Sequence, residues 1–139
     1  MADQSVLTVS IVTPDGEVYN QSKATMVVVK TKSGQLGIMP NHVPVIASLA
    51  VDAVLIKAGH HQDKVAVNGG FVEFSNNEAT VIANSAEKQG DIDVARAKRA
   101  QARAKAAIQK AKQAHDQVTL EKEQVALMRA VNRIRVAKK

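Results

Sequence analysis

No glycine and no proline follows Gly90; all 7 glycines and all 3 prolines fall within the first 90 of 139 residues. These two residues are the strongest local punctuators of a chain. The part up to Gly90 is therefore cut into short elements, and the part after it is free to run as long helices. Up to Gly90 the apolar residues recur at period two. VLTVSIV (6–12), MVVV (26–29), VDAVLI (51–56), KVAV (64–67), GFVEF (70–74) and ATVIA (79–83) read as strands. TPDG (13–16), KSGQLG (32–37), MPNHVP (39–44) and SNN (75–77) read as turns, where Pro presets φ and Gly or Asn accepts positive φ. Asn68-Gly69-Gly70 precedes a strand and reads as a bulge or turn. So many short strands at this spacing predict a β-sandwich or flattened barrel of about ten strands.

From Asp91 the period changes. Ala97, Ala100, Ala104, Ala107, Ala111 and Ala114 are spaced three and four apart, an all-alanine helical seam. Leu120, Leu127 and Ile134 follow at sevens, with Val131 beside them, and His115–Asp116–Gln117 separates the two runs. Asp91 or Asp93 suits the start of the first helix, and Asp116 that of the second. The expected architecture is α+β: a sandwich over 1–86, then an antiparallel two-helix hairpin over 87–139. Alanine buries little area, and at about 25 cal/mol per Å² such a seam docks weakly.

Charge divides the chain at the same place. Residues 1–90 carry 6 Lys and Arg against 8 Asp and Glu; residues 91–139 carry 13 against 5. The basic half calls for an anionic partner or forms a solvated face. Aromatics are 2% of the chain, which speaks against base-stacking nucleic-acid platforms. There is no Cys, hence no disulfide or thiolate metal site. His60–His61 has no further ligands nearby in sequence, and no metal is expected there. The first residues, MADQSVLT, lack a basic stretch followed by an apolar run, and no window holds the ~18 apolar residues of a span. No signal peptide and no membrane insertion are expected. GxxxxGK[ST], GxSxG, HExxH and a GxGxxG after a strand are all missing, so no enzyme class is indicated.

The seam at GDIDVARAKRA (90–100) holds the one suggestive constellation. Asp93 and Arg96 are neighbours on a helix and form either a surface ion pair, worth about 0–1 kcal/mol, or part of a site. A hairpin that folds back returns Arg129 and Arg133 toward Arg96. Three converging guanidiniums repel unless an anion joins them, and their forks match phosphate oxygens. Glu87 and Asp93 add acceptors for a purine amino group. The alternatives are a solvated charged face and a nucleic-acid-binding basic arm.

VSIVTPDGEVY, KSGQLGIMPNHVP, NGGFVE, GDIDVARAKRA and RAVNRIRVA together span nearly the whole chain, and with them it resembles the epsilon subunit of bacterial F-type ATP synthase. The resemblance implies a non-catalytic central-stalk rotor subunit on the cytoplasmic face of the cell membrane. Its sandwich would bind the gamma subunit and the c-subunit ring and so couple proton flow to ATP synthesis. Its helices would extend toward the alpha and beta subunits and inhibit ATP hydrolysis. The family's motif for ATP binding falls on Ile92, Asp93, Arg96 and Ala97, with Glu87, Arg129 and Arg133 completing the site. ATP is thus implied as a regulatory ligand that stabilises the compact state, and no cofactor is required. The ring contact is implied for 34–44, with Gln35, Leu36 and His42 as contacts. Gln35 stands where relatives often carry an acid.

Overall fold

The computed structural model describes residues 5–138, so the stretch read for a leader peptide begins outside the described residues. The strands are β1 (Leu7–Thr13), β2 (Gly16–Ala24), β3 (Met26–Thr31), β4 (Gly34–Ile38), β5 (Val45–Ala58), β6 (His61–Ser75), β7 (Glu78–Ala83) and β8 (Ala86–Lys88). A 3-10 turn, Gln89–Asp91, leads to α1 (Val94–Gln113) and α2 (Gln117–Ala137). The chain divides into two compact units, one through Gln89 and one from Gly90. The first extends three residues past the 86/87 division read from the sequence, because Ala86–Lys88 pairs with β6 as a strand.

The first unit is a flattened sandwich with the strand order β2-β1-β7-β6-β5-β3-β4 and with β8 beside β6. β1 and β7 run parallel and the other pairs antiparallel. There are eight strands among the described residues, not about ten, because two are long. β5 and β6 hold one register from Val45↔Phe74 to Ala58↔His61. Along β6 the other neighbour changes: Val65–Val67 faces β8, and Gly70–Ser75 faces β7. At that change the buried face shifts parity, from Val65 and Val67 to Val72 and Phe74. β5 does the same, from Leu49 to Val54 and Ile56. Both strands therefore pass from one layer of the sandwich to the other, and the phase shift reads in sequence as a break between short strands. Gly69 and Gly70 sit at the corner with φ of 83° and 124°. Of KSGQLG, read as a turn, Lys32 and Ser33 make the turn, and Gly34–Gly37 go on into β4, an edge strand on β3.

Leu7, Val9, Ile11, Val27, Val29, Ile56, Val65, Val67, Val72, Phe74 and Val81 form the fully buried core between the layers. Short-range chemistry closes the hairpins. Thr13 Oγ1 and Thr31 Oγ1 each accept from the N–H two residues on and donate to the carbonyl three residues on, at Gly16 and Gly34. Tyr19 Oη donates to Asp63 Oδ2 at 2.7 Å, and His61 pairs with Asp63 Oδ1 at 2.7 Å. Burial first, and Asp63 next, hold the Tyr19 hydroxyl above its ordinary range and keep it protonated as the donor.

The second unit is the helical hairpin. Its seam is narrower than the alanine pattern suggested. Ala97, Ala104, Ile108 and Ala111 are buried on α1, whereas Ala100 and Ala107 are half-buried and Ala114 is exposed. On α2 the buried positions are Ala130, Asn132 and Val136, with Leu120, Leu127, Val131 and Ile134 half-buried beside them.

Candidate functional site

The open end of the hairpin gathers most of the residues singled out at residues 90–100. Ile92 is buried, and Asp93 caps α1, accepting the Arg96 N–H at 3.1 Å on Oδ1. The spacing of three is thus first a helix cap made through backbone, not a side-chain ion pair. The Arg96 side chain takes no part in it and is exposed. Ala97 is buried on α1.

At the other end, Ala111 and Ala114 lead into a Schellman turn. Asp116 N–H donates to the Ala111 carbonyl at 2.9 Å, and His115 N–H to that of Lys112 at 3.3 Å. His115 takes the left-handed position, φ 55°, that glycine usually fills. Asp116 then caps α2, accepting the Thr119 hydroxyl at 2.7 Å and its N–H at 3.1 Å. Counting from these caps at ~1.5 Å per residue, Arg96 and Arg133 stand at one height, roughly 26 Å from the turn, and Arg129 about one turn nearer it. The hairpin therefore brings Arg96, Arg129 and Arg133 to the end where Asp93 sits. Arg129 is exposed and Arg133 half-buried. Glu87 lies in the first unit, half-buried in β8 opposite Ala66.

The bond from the Thr119 hydroxyl, and after it the Thr119 N–H, hold the Asp116 carboxyl below its ordinary value of 3.8. A carboxylate whose folded pKa is lowered contributes stability above its unfolded pKa, and that contribution is lost as pH falls through the folded value. Helix content is accordingly expected to fall with acid below about pH 4, and Asp116→Asn, which keeps an acceptor but does not titrate, to flatten this acid limb. Circular dichroism against pH checks it; equal acid limbs in parent and variant would remove Asp116 as the cause.

The first unit presents a second surface. Gln35 is exposed and Leu36 half-buried on β4, opposite Lys30 and Val29. His42 lies in the loop beyond β4 and is half-buried, its ring 6.0 Å from that of Phe74 and edge-on to it. His42 Nδ1 donates to the Val43 carbonyl at 2.6 Å. The ring is thus largely used internally. The strongly exposed groups around it are Met39 (55%), Val43 (70%) and Ile46 (73%), which the sequence reading did not single out. From Ile46 an apolar strip continues over the outer face of the sheet through Phe71 and its cross-strand partner Ile82. Outward positions of a solvated antiparallel sheet are ordinarily polar, so three exposed large apolar groups on this face are a departure from the usual pattern. The signal was present in the parity of Ile46, Phe71 and Ile82, once the layer crossing is known.

Two family models divide the chain where the structure does. "ATP synthase, Delta/Epsilon chain, beta-sandwich domain" matches residues 6–89, and "ATP synthase, Delta/Epsilon chain, long alpha-helix domain" matches 91–138. An ATP synthase epsilon chain of Levilactobacillus brevis is 65% identical over 139 residues, 99% of each chain. One of Pediococcus pentosaceus is 62% identical over 138 residues, again 99% of each. Among solved structures, a chain of the Euglena gracilis mitochondrial ATP synthase OSCP/F1/c-ring assembly has the same fold, with TM-score 0.80 at 18% identity over 97% of this chain and 82% of that one.

Proposed function

We propose a part in rotary coupling and its regulation for this chain, which belongs to the epsilon-chain family of ATP synthase. As a member it is a central-stalk subunit of a membrane-associated F-type complex and not itself the catalyst. No described helix is long and apolar enough to cross a membrane. The sandwich binds the gamma subunit through Phe71 and Ile82, and meets the c ring through residues 34–46. In this way it couples proton flow to ATP synthesis, held peripherally at the cytoplasmic face of the membrane. The ring contact rests on Met39, Val43 and Ile46 more than on Gln35, Leu36 and His42, because those three present the exposed apolar area.

The hairpin is the regulatory part. Compact, it binds ATP at Ile92, Asp93, Arg96, Ala97, Arg129 and Arg133. Extended, it reaches the alpha and beta subunits and inhibits hydrolysis. What supports this reading is that, counted from the caps, Arg96, Arg129 and Arg133 fall toward one end of a hairpin whose buried positions on α1 are mostly alanine. An anion bound to the compact form alone favours that form, and its loss favours separation. If ATP binds the compact form alone, a hundredfold excess over Kd shifts the equilibrium by about 2.7 kcal/mol.

Hydrolysis by complex assembled with the full chain, or with a chain ending at Gln89, tests the inhibitory role. At low ATP the shortened chain is expected to give the faster enzyme, severalfold, and at high ATP the difference is expected to shrink. Equal rates at every ATP concentration would refute inhibition by the hairpin.

A further inference from the structure

We propose that Asn41 and Asn77 are positioning residues, whose reciprocal amide pair holds residues 39–46 as a preformed docking surface for the c ring. The inference rests on the reading of that segment as the ring contact.

The two residues are 36 apart in sequence and meet through two bonds. Asn41 N–H donates to Asn77 Oδ1 at 2.6 Å, and Asn77 Nδ2 donates to Asn41 Oδ1 at 3.1 Å. Each contact demands its own atom type, so neither amide is free to flip. Both residues also sit where their turns require positive φ. Met39-Pro40-Asn41-His42 is closed by the bond from His42 N–H to the Met39 carbonyl at 3.1 Å, with Pro at its second place and Asn41 at φ 68°, a type II turn. Asn76 and Asn77, at φ 51° and 57°, join the paired residues Ser75 and Glu78 in a type I′ turn. Glycine would serve both turns equally well. What asparagine adds is the amide, and the two amides are used on one another.

The segment needs such a tie. Pro40 and Pro44 deny it ladder donors, and its residues 39–44 lie between β4 and β5 outside the sheet, with Val45 and Ile46 opening β5. It nevertheless carries Met39, Val43 and Ile46 outward. An untethered loop would have to be ordered on docking, at a cost in affinity that prior ordering removes. The Asn77 carbonyl accepts from Thr8 N–H at 2.9 Å, so the anchor is itself built into the sheet, next to β1. The clamp thus transfers the rigidity of the β1–β7 pair to the loop.

Because glycine suits both turns, Asn77→Gly and Asn41→Gly remove the amides while sparing the backbone. Three readouts apply to the full chain: melting temperature, amide hydrogen exchange of Asn41, and rebinding to ATP synthase stripped of this subunit. Melting is expected to change little. Exchange at Asn41 is expected to rise about tenfold in Asn77→Gly, as for one lost hydrogen bond, and rebinding to weaken about fivefold to tenfold in Asn77→Gly, which loses both bonds, and about twofold to threefold in Asn41→Gly, which keeps its N–H bond to Asn77. Asn77→Asp keeps the acceptor for Asn41 N–H but loses the reverse donor, and should fall between. Val43→Asp, which damages the surface itself, serves as the reference. Weak rebinding by Val43→Asp with parental rebinding by both glycine variants would overturn the clamp and leave the ring contact standing. Parental rebinding by Val43→Asp would overturn the ring contact and the inference with it. Unchanged exchange at Asn41 in Asn77→Gly would likewise overturn the clamp.

Discussion

Arg133→Ala and Arg96→Ala are each expected to remove saturable ATP binding by the isolated chain, a loss on the order of 100-fold in affinity. A hydrogen bond between charged partners contributes about 1.5–3 kcal/mol, and each 1.4 kcal/mol is tenfold, so one bidentate arginine–phosphate contact accounts for the size. Arg96→Ala is the cleaner of the two. The structural duty of residue 96 is its N–H bond to the Asp93 cap, and alanine retains it. Arg133→Lys keeps a point charge but not the fork, and should bind between parent and alanine variant. Isothermal titration with ATP, with and without Mg²⁺, reads the loss. Thermal melting checks that the sandwich is untouched, since both arginines lie in the second unit. Parental affinity in both alanine variants would sink the assignment of the site. The sequence 90–100 would then be a helix start and nothing more.

Gly70→Ala is expected to be the most damaging glycine-to-alanine substitution in the sandwich. A Cβ on Gly70 would stand 2.0 Å from the Ile82 carbonyl oxygen and 2.9 Å from Ala83 Cα, both backbone atoms of the paired strand β7. Backbone in a sheet cannot swing aside as a side-chain tip can. The residue would also be held at φ 124°, a conformation that L side chains rarely adopt. Strain of about 1–3 kcal/mol and overpacking of a further ~1–3 kcal/mol give a loss of about 4 kcal/mol. For a unit of this size that is a fall in Tm of roughly 15–30 °C. Gly16→Ala is the control: its φ is 121°, but nothing lies within 4 Å of its Cβ, so strain acts there without collision. Melting curves followed by circular dichroism compare the two. A Gly70→Ala protein that melts with the Gly16→Ala protein would show that the corner in β6 yields, against the close approach described here.

Several features of the site were legible before any coordinates. The change of period at Gly90, the Asp93 and Asp116 caps, and the turns at TPDG, MPNH and SNN all follow from the φ preferences or side-chain oxygens of one to four neighbouring residues. Asp93 shows the limit of such reading. Its spacing to Arg96 pointed to an ion pair or to part of a site, and the cap was open between Asp91 and Asp93; only the bond to the Arg96 N–H decides for Asp93 as the cap.

The sequence by itself determined the two-part division, the sandwich-plus-hairpin class and the basic character of the hairpin, because helix periodicity, turn chemistry and charge are properties of contiguous residues. Tertiary structure alone decided that GQLG (34–37) is an edge strand, since a glycine-rich segment becomes a strand only when β3 offers it a ladder. It also decided that β5 and β6 run unbroken through both layers. Burial parity depends on which strand lies alongside, and that changes from β8 to β7 at Gly70. The outward strip Ile46, Phe71 and Ile82 and the pairing of Asn41 with Asn77 follow from the same cause. Each is a meeting of residues far apart in sequence, and no local pattern records who the partner will be.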